Sequence, residues 1–514
     1  MIPHSRFPGK RVRVNDASRP RRTAAAMHAG GGYGSLTPAG MIHFGTSGWR
    51  GVVGQDFTFR NVRLAIDAVA RVLRARGEHA EVVVGYDTRL LSEKFAREAC
   101  SVLTHHGFQA VLAERDVPSP CVAAAVRERR ASLGVIFTAS HNPPEYNGVK
   151  LFTREGRLAG RDLTDEIERV AAGLGANHED FYVPRRDLVQ RAAFSEGYLE
   201  TLQNGIDWDA IRARGLTVCV DPLWGTAREF LDRILIANQV ATHVVHGTKD
   251  PYFGGYSPEC TPANLAALRE LVRQQRADLG LATDGDGDRF GIIDSACRFV
   301  TPNLAIALLM EYLLRRRRLE GALGRTVATT RLVDRIARAH GREVVETAVG
   351  FHHFGPDLVS GRLGVAAEES AGLGVATHLP ERDGLYASLL AVEMVAVEGR
   401  SLGELARDLF ARHGVLLSRR VQLPLNERMK AAFGRLRNEV PDRLGSEPVV
   451  RRDLSDGVLL ELGDGSWVLI RPAATEPRLR IYAEAPAIRR LHALLREARR
   501  LLRKAEEEVR DVRD

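Results

Sequence analysis

Leu279-Gly280-Leu281-Ala282-Thr283-Asp284-Gly285-Asp286-Gly287-Asp288-Arg289 decides how the rest of the chain is read. An uncharged run of strand length stops at a loop in which aspartate alternates with glycine. In an extended loop, residues at i, i+2 and i+4 project the same way, so Asp284, Asp286 and Asp288 can converge on one cation. The intervening glycines let the backbone fold closely around it. Carboxylate oxygens are hard ligands and select magnesium or calcium over softer metals. An EF-hand is excluded, because counting from Asp284 puts Arg289 where that loop needs glycine and Ser295 where it needs glutamate. Carboxylates packed this closely repel one another without a counter-ion.

The same unit, an apolar run followed by a polar loop, recurs on either side. Upstream, Val62, Ile66, Val69 and Leu73 fall at helical spacing, and Val82-Val83-Val84 predict a short buried strand ended by Gly85. A helical segment follows at 95–106, then the run Leu133–Phe137, which stops at Thr138-Ala139-Ser140-His141-Asn142-Pro143-Pro144. The run 216–220, ending in Asp221-Pro222, opens a second block that closes on the aspartate loop. A third block has a helical 304–314, strand-like 326–330 and 344–349, and the run 363–367 ending in Glu368-Glu369-Ser370. In open α/β sheets ligands bind at the carboxyl ends of strands, so each polar loop stands where a site is built.

The last hundred residues read differently. Val458–Leu462 and 466–470, separated by Gly463-Asp464-Gly465, predict a hairpin. Arg471-Pro472-Ala473-Ala474-Thr475-Glu476-Pro477 then forms a loop before a strand at 480–483 and an amphipathic helix carrying Ile488, Leu491, Leu495, Ala498 and Leu502. The expected fold is α/β, with three successive α/β domains of mixed sheets (41–190, 191–298 and 299–412) and a C-terminal α+β domain (413–514). A chain of 514 residues has room for four domains of ordinary size.

Composition narrows the class. With 44% hydrophobic and 27% charged residues the chain reads as globular, soluble and cytoplasmic. Its net charge of +8 is concentrated in residues 1–40, where Arg6, Lys10, Arg11, Arg13, Arg19, Arg21 and Arg22 face only Asp16. That segment is expected to be a disordered basic extension, with Met41 a candidate initiator. The nearly neutral remainder removes the composition argument for nucleic-acid binding. Five scattered cysteines, without a C-x-x-C pair, suit a reducing compartment. No apolar stretch reaches the roughly 18 residues of a membrane span. The run 315–318 reads as a solvated helix end.

Ser140 does not fit the G-x-S-x-G elbow of hydrolases, and no oxyanion-hole glycine run accompanies it. Beside a magnesium loop it could carry a phosphoryl group, since Mg²⁺ neutralises charge on transferring phosphate oxygens. Read alone, Ser140 is either a turn residue or a nucleophile.

Taken together, T-S-G-W-R-G (46–51), T-A-S-H-N-P-P-E-Y-N-G-V-K (138–150), D-G-D-G-D-R-F-G (284–291), E-E-S (368–370) and R-P-A-A-T-E-P (471–477) resemble the α-D-phosphohexomutases, most of all the bacterial phosphoglucomutase/phosphomannomutase branch. The resemblance covers residues 41–505 and implies four domains around a central cleft. It implies that Ser140 is a phosphoserine, which gives its phosphoryl group to a hexose phosphate. The resulting hexose 1,6-bisphosphate turns over and returns its other phosphate, and it also serves as activator. Ser140, Asp284, Asp286 and Asp288 would hold Mg²⁺. Arg50 and Lys150 would hold the transferring group or move protons, and His141 would either hold the loop or take part in chemistry. Arg289 would face the sugar, Glu368 and Ser370 would bind its hydroxyls, and Arg471, Thr475 and Arg480 would hold the idle phosphate.

The implied partners are glucose and mannose phosphates, with no nucleic acid or membrane, and the chain would be a monomer or homodimer. Alternatives are a phosphoglucosamine mutase, a non-catalytic sugar-phosphate-binding protein, or a phosphatase. The chain departs from the family pattern at Ala473-Ala474, where Ser-Gly is usual, at His352, where many relatives have Lys, and at Arg382, which replaces Lys.

Overall fold

The computed structural model describes residues 42–175, 182–473 and 477–511. The first sheet has seven strands in the order Phe44–Gly45, Gly48–Val52, Tyr146–Thr153, Leu133–Phe137, Val82–Tyr86, Ala110–Ala113 and Val189–Ala192. Its last four strands are parallel, and Tyr146–Thr153 runs antiparallel to both its neighbours. Helices Ser92–His105 and Ser119–Arg129 pack on the central strands, which are buried along their length and so read as continuous apolar runs. The closing strand carries this sheet past position 190, so a division there would cut it.

Three further sheets follow in chain order. The second is ordered Phe299–Val300, Phe290–Asp294, Leu279–Thr283, Thr217–Asp221 and Ala241–Val244, and the third Val344–Thr347, Ala322–Thr326, Leu363–Glu368 and Gly372–Val375. Both mix parallel and antiparallel pairs. The fourth is wholly antiparallel and includes the expected hairpin, pairing Val458–Leu462 with Trp467–Pro472. Helices Glu427–Asn438 and Ile488–Asp511 pack together beside it. Three α/β units and a C-terminal α+β unit are therefore present. Among the described residues, no helix is long and apolar enough to cross a membrane.

Two local expectations are corrected. Gly85 does not end its strand, which continues to Tyr86; a Cβ at Gly85 would meet Val122 Cγ2 at 2.5 Å, so glycine there admits the packed helix. The strand expected at 326–330 is Ala322–Thr326. Glycine and arginine disguise it: Gly324 lies against Ala366, and Arg325 is neutralised by Asp334 at 2.6 Å and by Glu346. Residues Val327 and Ala328 instead pack against Leu459, Trp467, Leu469 and Tyr482 of the fourth unit. The run 315–318 is the exposed helix end expected, its guanidiniums bound at the surface, Arg315 and Arg316 to Glu398 and Arg317 to buried Glu393 at 2.8 Å.

One apolar core runs through the first three units, whereas the fourth has its own. Between the first two units, Arg228 donates twice to buried Asp116, at 2.6 and 2.8 Å. Between the first and third, His352 Nδ1 donates to the Thr46 carbonyl at 3.1 Å. The buried helix Gly384–Glu398 brings the third unit to the aspartate loop. Its first residue donates to Gly287 O at 3.0 Å, and a Cβ on Gly384 would strike Arg289 O at 2.3 Å.

Asp116→Ala strands the Arg228 charge and is expected to cost about 3–5 kcal/mol, read as a lowered first unfolding transition. Burial, with the neighbouring His353, pulls His352 from 6.5 down to about 4. The unfolded chain therefore binds the extra proton between those values, and stability contributed at this position falls as pH drops from 6.5 towards 4. His352→Gln is expected to flatten the pH dependence of the melting temperature across that window and leave it unchanged above it.

Candidate active site

Leu133–Phe137 delivers Ser140 to the site in a left-handed backbone, φ 52°, which non-glycine residues seldom adopt. The Ser140 N–H donates to Thr138 Oγ1 at 2.9 Å, and its hydroxyl donates to Asp284 Oδ2 at 2.6 Å. His141 Nδ1 lies 3.4 Å from the same hydroxyl oxygen. Burial and the charges of Arg289 and Arg50 hold His141 well below the usual histidine range, so it is a neutral imidazole near pH 7. Arg50, from the strand Gly48–Val52, donates to Asn142 Oδ1 at 2.5 Å and to Ser47 Oγ at 2.9 Å. Burial and the nearby Arg289 lower its guanidinium to about 10.

The aspartate loop is a tight turn rather than an extended segment. Gly287 N donates to Asp284 O at 3.1 Å, and Gly287 has φ 73°. The turn still gathers Asp284, Asp286 and Asp288, with one oxygen from each lying within 4.8 Å of the others. Lys150 Nζ donates to Asp286 Oδ2 at 2.5 Å and Asp288 Oδ2 at 2.6 Å, and Ser119 Oγ donates to Asp286 Oδ2 at 2.5 Å. The opposite oxygens, Asp286 Oδ1 and Asp288 Oδ1, are buried without a hydrogen-bond partner. Orphaned carboxylate oxygens beside a serine hydroxyl suit a hard divalent cation. Burial and the charges of Asp286 and Asp288 push Asp284 well above the carboxylate range. Asp288 goes the other way: despite burial, Arg382 and Lys150 hold it low.

Leu363–Glu368 ends at the third loop. Glu368 accepts from Gly350 N at 3.1 Å and from Arg382 Nη1 at 2.9 Å, while Arg382 Nη2 donates to Asp288 Oδ2 at 2.9 Å. This one guanidinium joins the aspartate loop to the third loop. In the fourth unit Arg471 Nε donates to Asp456 Oδ1 at 3.0 Å, and Asp456 Oδ2 accepts from Val349 N at 2.7 Å. Ser370, Arg289 and Arg480 line the same cleft as Arg50, His141, Glu368 and Arg471. Thr475 and Ala474 lie outside the described residues; Ala473 is buried and its N–H closes the loop on Arg478 O at 2.8 Å.

Sequence reasoning missed two arginines and undervalued Arg382. Arg420 donates to Glu259 at 3.0 Å and Glu369 at 3.3 Å, tying together three units. No local pattern marks it, since it lies within the strand Leu417–Pro424. Arg89 follows the strand Val82–Tyr86 in a polar loop, and the rule that picked out Ser140 would have found it.

Four family descriptions match in chain order. These are phosphoglucomutase/phosphomannomutase alpha/beta/alpha domain I at residues 41–177, domain II at 196–296, domain III at 301–413 and the C-terminal domain at 424–501. A phosphoglucomutase/phosphomannomutase of Thermococcus kodakarensis is 31% identical, covering 90% of this chain and 98% of its own. A Pyrococcus abyssi protein designated a phosphoglucosamine mutase is also 31% identical, over 90% of this chain and 98% of its own. Among solved structures, a candidate phosphomannomutase from Thermus thermophilus superposes with TM-score 0.80 at 31% identity, covering 91% of this chain and all of its own. An Aspergillus fumigatus N-acetylphosphoglucosamine mutase, solved with GlcNAc-6P and magnesium, shares the fold at 16% identity and TM-score 0.52. With the four domains in order and a near full-length relative above 30% identity, the chain belongs to the α-D-phosphohexomutase family of phosphotransferase enzymes.

Proposed function

We propose that the protein interconverts the 1- and 6-phosphates of neutral hexoses, glucose and mannose, through a phosphoserine at Ser140 and a hexose 1,6-bisphosphate intermediate. The observation that carries this is the 2.6 Å contact of Ser140 Oγ with Asp284, beside the orphaned oxygens of Asp286 and Asp288. Those three aspartates and Ser140 would hold Mg²⁺, which when bound offsets charge on the transferring phosphoryl oxygens. The bond from phosphorus to Ser140 Oγ breaks as one to the sugar hydroxyl oxygen forms. The sugar hydroxyl loses its proton and Ser140 Oγ regains one; the neutral His141 Nδ1, 3.4 Å from that oxygen, is placed to hold or pass it. Arg50 and Lys150 neutralise the anionic surroundings. The second phosphate rests at Arg471 and Arg480 until the bisphosphate turns end for end.

Charge argues for a neutral sugar. The cleft wall holds Arg50, Arg289, Arg382, Arg420, Arg471 and Arg480 against Glu368 and Glu369. Both glutamates are already paired, with Arg382 at 2.9 Å and Arg420 at 3.3 Å, leaving no free carboxylate among the described lining residues for a C2 ammonium. The Pyrococcus relative supports a second reading, phosphoglucosamine mutase. Glucosamine 1-phosphate is expected to show kcat/KM at least about tenfold below glucose or mannose 1-phosphate, a difference of roughly 1.4 kcal/mol. The reverse order would establish the second reading.

Two further outcomes follow from the site. Ser140→Ala is expected to lower kcat by about a thousandfold or more in a coupled assay, because it removes the phosphoryl carrier. The raised Asp284 carboxyl must give up its proton before it can ligate a cation. Mg²⁺ binding should therefore release protons and tighten as pH rises, measurable by titration calorimetry in buffers of different ionisation enthalpy. Binding without proton exchange would contradict this.

A further inference from the structure

We propose that Arg89 is the positioning residue of the nucleophile, holding the loop around Ser140 in the left-handed conformation that presents Oγ to Asp284. This rests on the reading of Ser140 as phosphoryl carrier. The neighbouring parallel strands Val82–Tyr86 and Leu133–Phe137 end side by side, and Asp87 N donates to Phe137 O at 2.9 Å. Buried Asp87 accepts from Arg89 N at 2.9 Å and Ser92 Oγ at 2.7 Å, which turns the chain and directs the arginine back over the serine loop. Its carboxylate lies 3.2 Å from Arg89 Nε, and neither side chain is exposed, so the guanidinium charge is balanced where it is buried.

Three backbone carbonyls of the serine loop and that of Tyr146, which opens the next strand, converge on that guanidinium. Nη2 donates to Ser140 O and Asn142 O, both at 2.6 Å, and Nη1 donates to Pro143 O at 2.7 Å and Tyr146 O at 3.0 Å. A left-handed residue turns its carbonyl away from the path a helix or strand would give it, and a non-glycine residue stays there only when surroundings over-determine it. Arg89 provides that determination for Ser140. The Phe253 ring of the second unit lies 4.9 Å from the guanidinium, and a Cβ at Gly285 would strike Ser140 O at 2.7 Å. The Ser140 carbonyl is thus held between Arg89 and the aspartate loop itself. Arg89 does not line the cleft, so its influence falls on the nucleophile and not on the sugar or idle phosphate.

An ammonium keeps the charge but lacks the planar fork that reaches four acceptors. Arg89→Lys is therefore expected to lower kcat about a hundredfold, the scale of a roughly 1 Å misplacement, while KM for glucose 1-phosphate stays within about twofold. Transfer of phosphate from glucose 1,6-bisphosphate to the protein, followed by intact mass, should slow by the same factor. Guanidinium ion should partly restore turnover to Arg89→Gly. Thr138→Val removes the hydroxyl that accepts from Ser140 N and also hydrogen-bonds Asp87, the counter-ion of Arg89, and so loosens the same conformer; it should lose about tenfold in kcat alone. Wild-type kcat in Arg89→Lys, or in Thr138→Val should the lysine variant not fold, would overturn the proposal. A KM rise without loss of kcat would do the same. Absence of phosphate transfer to the wild-type protein would instead sink the reading of Ser140, which separates the two failures.

Discussion

Three carboxylates forced into one turn, with water excluded, set the terms for the rest of this molecule. Asp284, Asp286 and Asp288 are almost wholly buried, and each ionised group there needs compensation. Lys150 supplies it from the first unit and Arg382 from the third, while the Ser140 hydroxyl donates from the loop that faces them. The acidic turn therefore requires the first and third units to close on the second. Assembly and site formation are thereby coupled, because Lys150 and Ser140, which help make the turn tolerable, are also proposed to take part in the chemistry.

Apolar packing divides the molecule at the fourth unit. The first three units share one apolar core, reinforced by the Asp116–Arg228 pair and the buried helix Gly384–Glu398. The fourth has a core of its own and meets the third through a small cluster around Trp467, with polar ties at Arg420, Asp456 and Glu484. Such a division suits a reaction in which one end of a bisphosphate must stay still while the other is exchanged.

Most of the architecture was legible because buried parallel strands write themselves as uninterrupted apolar runs, as in Leu133–Phe137 and Leu279–Thr283. The strand Ala322–Thr326 was misplaced because its glycine and arginine are accommodated by partners that only the fold brings to them, Ala366 for Gly324 and Asp334 and Glu346 for Arg325. The three aspartates and Ser140 could be named from spacing and from family resemblance. Arg420 could not, since its role comes from Glu259 and Glu369, which the fold alone brings together. Arg89 is an intermediate case: its place after a strand was visible, but its four acceptors are backbone atoms that no side-chain pattern advertises.

Ser140 is proposed to carry the phosphoryl group between the two ends of the sugar. Single-turnover rapid quench of enzyme labelled with radioactive phosphate, mixed with glucose 1-phosphate and Mg²⁺, tests it most directly. Label is expected to leave Ser140 and enter sugar phosphate at a rate no slower than kcat. Label retained on the protein through turnover, or released chiefly as inorganic phosphate, would contradict it.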